Sequence, residues 1–305
     1  MMYVITGGSG YIGRQLVKRV LERGEGVINI DKSEPLEAIK GEKFIKCDLT
    51  SEMRTKEVIR SLDPGEEYIV IHLAGLFEKD VRKRKHWKFE DFLSMNALTT
   101  RNLVNELVRQ DVDVKSFIFS SAALVNCLGR INDFYPLSKL EAEKHIRENP
   151  PSTSTHILRI SRVIGGLDNG KISKDVVSDF IRKLLSEDTV ILNGSNIQRD
   201  YIHLDDVCRI ILSPMSKGLD VKNVYSSEQI TVKEIMEMIH QALLEKGVIR
   251  RERNLVFQED KDNPLPRIEG ESDFSNLLEY RTSRDVVRRT IDEYTEAMEK
   301  GIQFK

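Results

Sequence analysis

The first half of the chain alternates short apolar runs, rich in β-branched residues, with longer stretches in which apolar residues recur at the helical period. Short runs of this kind predict buried strands, and the longer stretches, such as 12–21 and 103–108, predict helices that cover them. Regular alternation of the two is typical of an α/β fold whose parallel sheet has helices on both faces. The candidate strands are YVIT at 3–6, VINI at 27–30, FIKC at 44–47, YIVIHL at 68–73, SFIFS at 116–120 and HILRI at 156–160.

The alternation becomes less regular after about residue 160, where loops such as GGLDNGK and NGSNIQ appear. A helix is predicted near 231–246, and the Pro-rich, charged segment 258–273 predicts a loop. A last helix follows, with Ser283 as its expected N-cap. This change of pattern predicts a second, smaller α/β domain, with substrate bound in the cleft between the domains.

Composition narrows the class of protein. The 305 residues are 40% hydrophobic and 31% charged with a net charge of -2, which is typical of a globular protein and disfavours a nucleic-acid or membrane-surface partner. Three separated cysteines form no metal-binding cluster, so we expect reduced thiols and no metal site. The N-terminus has no leader-like pattern and no apolar run is long enough to span a membrane, so we expect a cytoplasmic location.

A glycine-rich turn joins the first predicted strand to the first predicted helix. Gly8, Gly10 and Gly13 form a GxGxxG pattern, and Gly7 with the last two also forms TGxxGxxG. Glycine is needed where the backbone turns sharply and approaches a pyrophosphate at a helix N-terminus. Asp31 follows the second strand about 20 residues later, as in dinucleotide-binding folds of the Rossmann type.

The carboxylate of Asp31 also bears on the choice of cofactor. It can accept hydrogen bonds from ribose hydroxyls and would repel the 2′-phosphate of NADP. The sequence therefore favours NAD over NADP, although the neighbouring Lys32 offers a positive charge.

Tyr135 and Lys139 lie four residues apart, so both side chains fall on one face of a predicted helix. A tyrosine hydroxyl with a pKa of about 10 is a weak base at neutral pH, but an adjacent cation stabilises its phenolate. The pair can therefore exchange a proton with a sugar hydroxyl while a nicotinamide cofactor exchanges the hydride.

These motifs together resemble the extended short-chain dehydrogenases/reductases, specifically the NAD-dependent epimerase/dehydratase family acting on nucleotide sugars, including UDP-glucose 4-epimerase-like proteins. The matching segments are TGGSGYIG, CDLT, HLAG, YPLSK and QRDYIHLDDV. The cofactor-binding residues that the resemblance implies are Gly7, Gly10, Tyr11, Ile12, Gly13, Asp31, Lys32, Asp48, Leu49, Leu73, Ala74, Gly75, Asn96, Ser120, Tyr135 and Lys139.

The resemblance also implies residues that bind the substrate. Arg199 in QRDYIHLDDV matches a ligand of the substrate pyrophosphate, and Arg162 and Arg267 match further substrate-binding positions. His203, Asp205 and Asp206 are expected to organise the segment that returns to the cofactor domain.

The expected domains follow from this match. Residues 1–160, with 200–222 returning to them, form the Rossmann-type NAD-binding domain. Residues 161–199 and 223–305 form the nucleotide-sugar domain.

The serine that completes the family's catalytic set is ambiguous in FSSAALVNC. The family places a Ser or Thr four residues before an aromatic residue; one alignment puts Ser121 at that position and another puts Ala122 there. The aromatic residue is absent in both, and the loop from Cys127 to Phe134 is short for the family. Ser121 is the candidate for the catalytic and substrate-binding hydroxyl.

Three functions remain open. The Thr-Asp-Glu run of the family's dehydratases is missing, which leaves an epimerase, acting at sugar C4 through a transient keto intermediate, or a reductase of a nucleotide-linked 4-keto-(6-deoxy) sugar. A non-catalytic NAD-binding sensor or scaffold is the third. The resemblance also implies a homodimer formed through helices at about 89–109 and 136–148.

Overall fold

The computed structural model contains two compact units. The first comprises Met1–Arg159 and Ile211–Lys222, and the second comprises Ile160–Ile210 and Asn223–Lys305. Within the chain, the structure describes residues 1–76, 88–129, 133–168, 170–226, 228–259 and 272–305.

The first unit is built on a seven-stranded sheet. Its strands are β1 (Met2–Thr6), β2 (Gly26–Asp31), β3 (Glu42–Lys46), β4 (Tyr68–His72), β5 (Val114–Ala122), β6 (Ser154–Ile160) and β13 (Gly218–Val224). Their order is β13-β6-β5-β4-β1-β2-β3, with β1 parallel to both β2 and β4. Chain order reverses beside β1, so the predicted doubly wound Rossmann-type sheet is confirmed.

Helices cover this sheet. They are α1 (Tyr11–Glu22), α2 (Glu52–Arg60), α3 (Phe89–Phe92), α4 (Thr99–Arg109) and α5 (Phe134–Glu148). A π-helical turn, Leu93–Leu98, joins α3 to α4, and a 3-10 turn, Ala123–Cys127, follows β5. Leu16, Val17 and Val20 of α1 are fully buried, as the helical period of the sequence predicts.

In its described residues, the second unit combines short strand pairs with four helices. Its strands are β7 (Arg162–Ile164), β8 (Leu167–Asp168), β9 (Lys171–Ile172), β10 (Thr189–Asn193), β11 (Gln198–Arg199), β12 (Tyr201–His203), β14 (Ile230–Thr231) and β15 (Asn254–Gln258). The helices are α6 (Val176–Ser186), α7 (Leu204–Ile211), α8 (Val232–Glu245) and α9 (Ser283–Glu299). No helix in the described part of either unit is long and apolar enough to cross a bilayer.

The segment expected to return to the first domain, 200–222, is divided between the units. Residues 200–210 belong to the second unit, where β12 pairs in parallel with β7. Only 211–222 joins the first unit, where β13 lies beside β6. Strand pairing thus places the return about ten residues later than the sequence motif suggested.

The N-cap of α9 is Thr282, not the expected Ser283. Thr282 has an extended backbone, and its hydroxyl accepts a hydrogen bond from the Asp285 amide at 3.1 Å. The Ser283 hydroxyl instead accepts from the Tyr201 amide at 3.0 Å. The loop predicted at 258–273 lies mostly outside the described residues.

A buried ion pair lies beneath the turn between β1 and α1. Arg14 donates to Glu42 at 2.7 Å, and the two side chains are 5% and 2% exposed. Asn29 also donates to Glu42, at 2.7 Å. Burial by itself raises the pKa of Glu42, but the hydrogen bonds from Arg14 and Asn29 outweigh it and hold the pKa below its ordinary value. Glu42 is therefore a carboxylate at neutral pH, fixed by its partners.

We expect Arg14→Met to lower the free energy of unfolding by about 3–5 kcal/mol, because it leaves the Glu42 carboxylate buried without its cation. Urea denaturation followed by circular dichroism measures the change. The control is Lys46→Met, whose pair with Glu34 joins side chains 65% and 69% exposed and should change the value by no more than about 1 kcal/mol. Equal effects of the two substitutions would contradict the assignment.

Candidate active site

The chain turns from β1 into α1 through backbone that leaves no room for side chains. Gly7 has a φ of 74°, and a Cβ atom there would lie 2.8 Å from the amide nitrogen of Ala74. A Cβ atom at Gly13 would lie 2.2 Å from the carbonyl oxygen of Gly7. Both positions therefore require glycine, and the turn presents bare backbone to whatever binds above it.

The N-terminus of α1, with the positive end of its helix dipole, lies at this turn. Gly10 is the N-cap residue and makes no side-chain capping bond, and the first helical turn carries no acidic residue. Tyr11 and Ile12 open the helix and are half-buried. Backbone amides at the start of a helix and the positive end of its dipole suit an anionic group such as a pyrophosphate.

A cavity of about 160 Å³ opens beside the turn. Its lining includes nine residues that the sequence predicted to bind a cofactor: Gly7, Gly10, Asp31, Lys32, Asp48, Leu49, Leu73, Ala74 and Gly75. Ile30, Cys47, Met95 and Thr99 also line it, and sequence reasoning missed them. Ile30 and Cys47 directly precede the two predicted aspartates, so their place at the carboxyl ends of β2 and β3 was an available signal.

The two aspartates of the cavity are fixed by backbone donors. Asp31 accepts from the amide of Ser9 in the glycine turn at 3.1 Å and from the amide of Ser33 at 2.9 Å. Asp48 accepts from the amide of Thr50 at 3.0 Å. Burial raises the pKa of Asp48, but the Thr50 hydrogen bonds and the charge of Lys32 lower it overall. Its carboxylate is therefore ionised and oriented at neutral pH.

Lys139 is a buried cation at the carboxyl end of β5. Its side chain donates to the carbonyl oxygen of Ser120 at 2.9 Å and lies 4.9 Å from the ring centroid of Phe119. Burial lowers the pKa of Lys139 to about 8, against the opposing charge of Glu143. The group is therefore charged at neutral pH and loses its proton within the range of mild alkali.

Asn96, in the π-helical turn, joins the segment after β4 to Ser138, the residue before Lys139 in α5. Its side chain accepts from the amide of Leu76 at 2.8 Å and donates to the hydroxyl of Ser138 at 2.9 Å. A Cβ atom at Gly75 would lie 2.6 Å from the Asn96 side-chain oxygen and 3.2 Å from the Lys139 nitrogen. Gly75, Asn96 and Lys139, all predicted from the sequence, thus meet at one point.

Tyr135, in the first turn of α5, packs against Phe92 and Ala122 and is 9% exposed. Its backbone carbonyl accepts from the Ser138 hydroxyl at 2.7 Å, which links it to the Asn96 chain of hydrogen bonds. The tyrosine is thereby held on the same helix face as Lys139, one turn away.

Ser121, the predicted catalytic hydroxyl, has a different partner in the structure. It is 3% exposed and donates to Glu143 at 2.6 Å, two helical turns beyond Tyr135. Ala122, which has no hydroxyl, belongs to the same buried cluster as Tyr135. These contacts agree with the alignment that places Ala122 at the family's serine position, and Ser121 makes its hydrogen bond to Glu143.

Sequence reasoning also missed a buried histidine below the site. His72, at the end of β4, bonds the hydroxyl of Thr6 at 2.6 Å and that of Thr100 at 2.9 Å. Burial, helped by the charge of Lys139, lowers the pKa of His72 to about 3. This neutral ring ties β1 and β4 to α4 and adds no positive charge beside Lys139.

Two of the three predicted substrate arginines belong to the second unit, close to Tyr201. Arg162 in β7 is its register partner, and Arg199 precedes it by two residues at the end of β11. Burial raises the pKa of Tyr201, and the charges of Arg162 and Arg199 act to lower it. Arg267, the third, lies outside the described residues.

The acids and the histidine of QRDYIHLDDV anchor the second unit. Asp206 is fully buried and accepts from the amides of Glu279 and Tyr280, at 3.1 and 3.2 Å. His203, also fully buried, bonds Glu293 at 3.1 Å. Asp200 accepts from both the amide and the hydroxyl of Ser226, and burial raises its pKa to about 7.

Three of these groups, His203, Asp205 and Glu293, lie close enough together to hold a metal ion. However, the Asp205 amide donates to one ring nitrogen of His203 at 3.2 Å, and Arg289 pairs with Glu293 at 3.0 Å. These bonds join His203, the Asp205 backbone and Glu293 to one another and to Arg289, and they support the segment.

Two relatives of similar sequence are named as nucleotide-sugar enzymes. The chain is 25% identical over 289 residues to a UDP-glucose 4-epimerase of Erwinia amylovora, covering 79% of this chain and 83% of that protein. It is 27% identical over 271 residues to a dTDP-4-dehydro-6-deoxyglucose reductase of Escherichia coli, covering 81% and 83%.

The fold is shared with a UDP-glucose 4-epimerase of Thermotoga maritima, solved with UDP-glucose, at a TM-score of 0.76 and 20% identity over 98% of this chain and all of that one. Residues 3–226 match the model of the NAD dependent epimerase/dehydratase family. This match includes the glycine turn, Asn96, Tyr135, Lys139 and both described arginines. The chain therefore belongs to the NAD dependent epimerase/dehydratase family.

Proposed function

We propose that the protein is an NAD-dependent nucleotide-sugar epimerase that inverts the sugar at C4 through a transient keto sugar. The observation that supports this most strongly is the meeting of Gly75, Asn96 and Lys139 at the carboxyl edge of the sheet. Tyr135 lies one helical turn from Lys139, and the glycine-lined cavity shares Gly75 with this group. The kinship with a UDP-glucose 4-epimerase agrees with it.

The cavity fits NAD. Bare backbone at Gly7 and Gly13 and the N-terminus of α1 suit the pyrophosphate, and Asp31 suits the ribose hydroxyls while disfavouring the extra phosphate of NADP. When bound, NAD supplies the ring that exchanges hydride with the sugar. The first unit is then the cofactor domain.

Tyr135 acts as the acid and base at the sugar hydroxyl. The ammonium group of Lys139, held by the Ser120 carbonyl, stabilises the phenolate, so Tyr135 takes the hydroxyl proton as the carbonyl forms. It returns the proton when the alcohol forms again. Because Ala122 packs with Tyr135, the chain supplies no side-chain hydroxyl at this position, and we assign none to the reaction.

The second unit is the substrate domain in this proposal. Arg162, the strand partner of Tyr201, and Arg199, two residues before it, bind the pyrophosphate of the nucleotide sugar, since guanidinium groups form paired hydrogen bonds with phosphate oxygens. Arg267 remains a prediction for the same role.

The second candidate is a reductase of a nucleotide-linked 4-keto-6-deoxy sugar, with NADH or NADPH as the reductant. The identity with the Escherichia coli dTDP-4-dehydro-6-deoxyglucose reductase, 27%, supports it. Tyr135 would then donate its proton to the carbonyl oxygen of the sugar. A non-catalytic NAD-binding sensor or scaffold is a third candidate, because Ala122, which packs with Tyr135, has no hydroxyl.

We also propose a homodimer formed through 89–109 and 136–148. These segments hold α3, α4 and most of α5, and each carries an exposed apolar side chain, Val108 at 51% and Leu137 at 36%. Pairing of two copies would cover both residues in a four-helix interface.

The proposed function is tested by measuring the cofactor bound to the purified protein and the conversion of added nucleotide sugars. Tightly bound NAD in the purified protein, together with conversion of UDP-glucose to UDP-galactose without net cofactor consumption, supports the epimerase. Oxidation of added NADH or NADPH by a dTDP-linked 4-keto-6-deoxy sugar, with no epimerisation, overturns it in favour of the reductase. Bound NAD with neither reaction favours the sensor.

We expect Gly13→Ala to weaken NAD binding at least about tenfold, because the new Cβ atom would lie 2.2 Å from the Gly7 carbonyl oxygen and displace the turn. Isothermal titration calorimetry measures the affinity. Gly65→Ala is the matched control, since its Cβ atom would meet only the Asp63 side chain at an ordinary 3.4 Å. Unchanged affinity in the Gly13 variant would exclude the turn as the cofactor cradle.

We expect Tyr135→Phe to lower turnover by about 10²–10⁴-fold while NAD affinity stays near that of the unmodified protein, because only the proton-exchanging hydroxyl is removed. Turnover is measured by chromatography of the UDP-sugars. The control is Tyr68→Phe, at the opposite end of β4 from the site, where the hydroxyl donates only to the Asp63 carbonyl. Turnover unaffected by the Tyr135 change would refute both enzyme proposals.

A further inference from the structure

Glu143 is a buried carboxylate on α5 that the proposed reaction does not use. Its side chain is fully buried, although acidic residues seldom are unless paired. It stands one helical turn beyond Lys139 and two beyond Tyr135, so the three residues share one face of the helix.

Donors from three elements hold this carboxylate. Ser121 of β5 donates to it at 2.6 Å. Arg159 of β6 donates twice, at 3.0 and 2.6 Å, and Arg147 of α5 donates at 3.3 Å. Both oxygens therefore have partners with good geometry, as a buried charge requires.

The bond to Ser121 lies next to another bond between β5 and α5. The carbonyl of Ser120 accepts from Lys139, and the next residue, Ser121, donates to Glu143. Two consecutive residues of the strand thus hold two successive turns of the helix. The two bonds together fix the position of α5 along β5 and its rotation about its own axis, and so they fix where Lys139 lies.

The groups around Lys139 leave Glu143 as its main source of negative charge. His72, from β4, is neutral at working pH because its pKa is about 3. Asn96 from the π-helical turn and Phe119 from β5 are uncharged contacts. Tyr135 on α5 is the remaining titratable neighbour, and Arg159 of β6 is engaged by Glu143. The charge of Glu143 raises the pKa of Lys139 against the larger, opposing effect of burial.

We propose that Glu143 is a positioning residue for Lys139: held by Ser121 and Arg159, it sets the placement of α5 and supplies the charge that keeps the ammonium group protonated beside Tyr135. The proposal rests on the proposed role of Lys139 in proton exchange. It also explains the place of Ser121, whose hydroxyl supports the catalytic pair through Glu143.

The test is a direct titration of Lys139 in the full-length protein. Nitrogen-15 NMR of lysine side chains follows its Nζ signal, assigned by its loss in Lys139→Met. We expect a midpoint near pH 8 in the unmodified protein. In Glu143→Gln the midpoint should fall by about one pH unit, the size expected when an opposite charge one helical turn away is removed.

Two further variants make the result specific. Glu141→Gln is the same substitution at an exposed position of α5 and should leave the midpoint unchanged. Glu143→Gln combined with Arg159→Gln removes both charges, so no unpaired arginine destabilises the fold, and it should retain the lowered midpoint. An unchanged midpoint in the folded double variant would overturn the proposal, because a purely structural role predicts that outcome.

Activity separates this proposal from the one on which it rests. If both hold, the alkaline limb of turnover moves to lower pH in Glu143→Gln, since Lys139 loses its proton earlier, while the Glu141→Gln profile stays in place. A lowered Lys139 midpoint in a protein that turns over no nucleotide sugar supports the charge role of Glu143 and refutes the proposed function.

Discussion

The burial of a single ammonium group is the constraint on which the candidate site depends. Lys139 is 4% exposed, and removing a cation from water is costly unless its hydrogen bonds and its charge are compensated. In β5, the Ser120 carbonyl accepts a hydrogen bond from the ammonium group, and the Phe119 ring makes a cation–π contact with it. The negative charge of Glu143, on the next turn of α5, favours the protonated form. Gly75 has no side chain, and this leaves the space in which the ammonium group sits.

Hydrogen bonds extend this constraint through neighbouring elements. Asn96 joins the end of β4 to Ser138, and Ser138 joins Asn96 to the backbone of Tyr135. His72 ties the end of β1 to α4 through Thr6 and Thr100. The glycine turn, the π-helical turn and the first turns of α5 are thus fixed relative to one another. The proposed reaction depends on such fixed positions, because Tyr135 and the cofactor would act on the same sugar.

Features set by local sequence were predictable. Six of the seven strands of the sheet and the glycine turn with Asp31 follow from short-range periodicity and spacing. The family resemblance implied nine of the residues that line the cavity. Side-chain partners were less predictable. Thr282, and not Ser283, caps α9, because Ser283 instead bonds a strand 82 residues away in sequence. The 200–222 segment divides between units because β12 pairs with β7.

The sequence by itself determined that Tyr135 and Lys139 face one way, since four residues make about one helical turn whatever surrounds the helix. It left open whether Ser121 or Ala122 stands at the tyrosine, and it gave no role to Glu143. Only the tertiary structure shows the partners of these residues, because the register between β5 and α5 is set by packing and by buried hydrogen bonds between residues about 20 positions apart. That register places Ala122 with Tyr135 and Ser121 with Glu143.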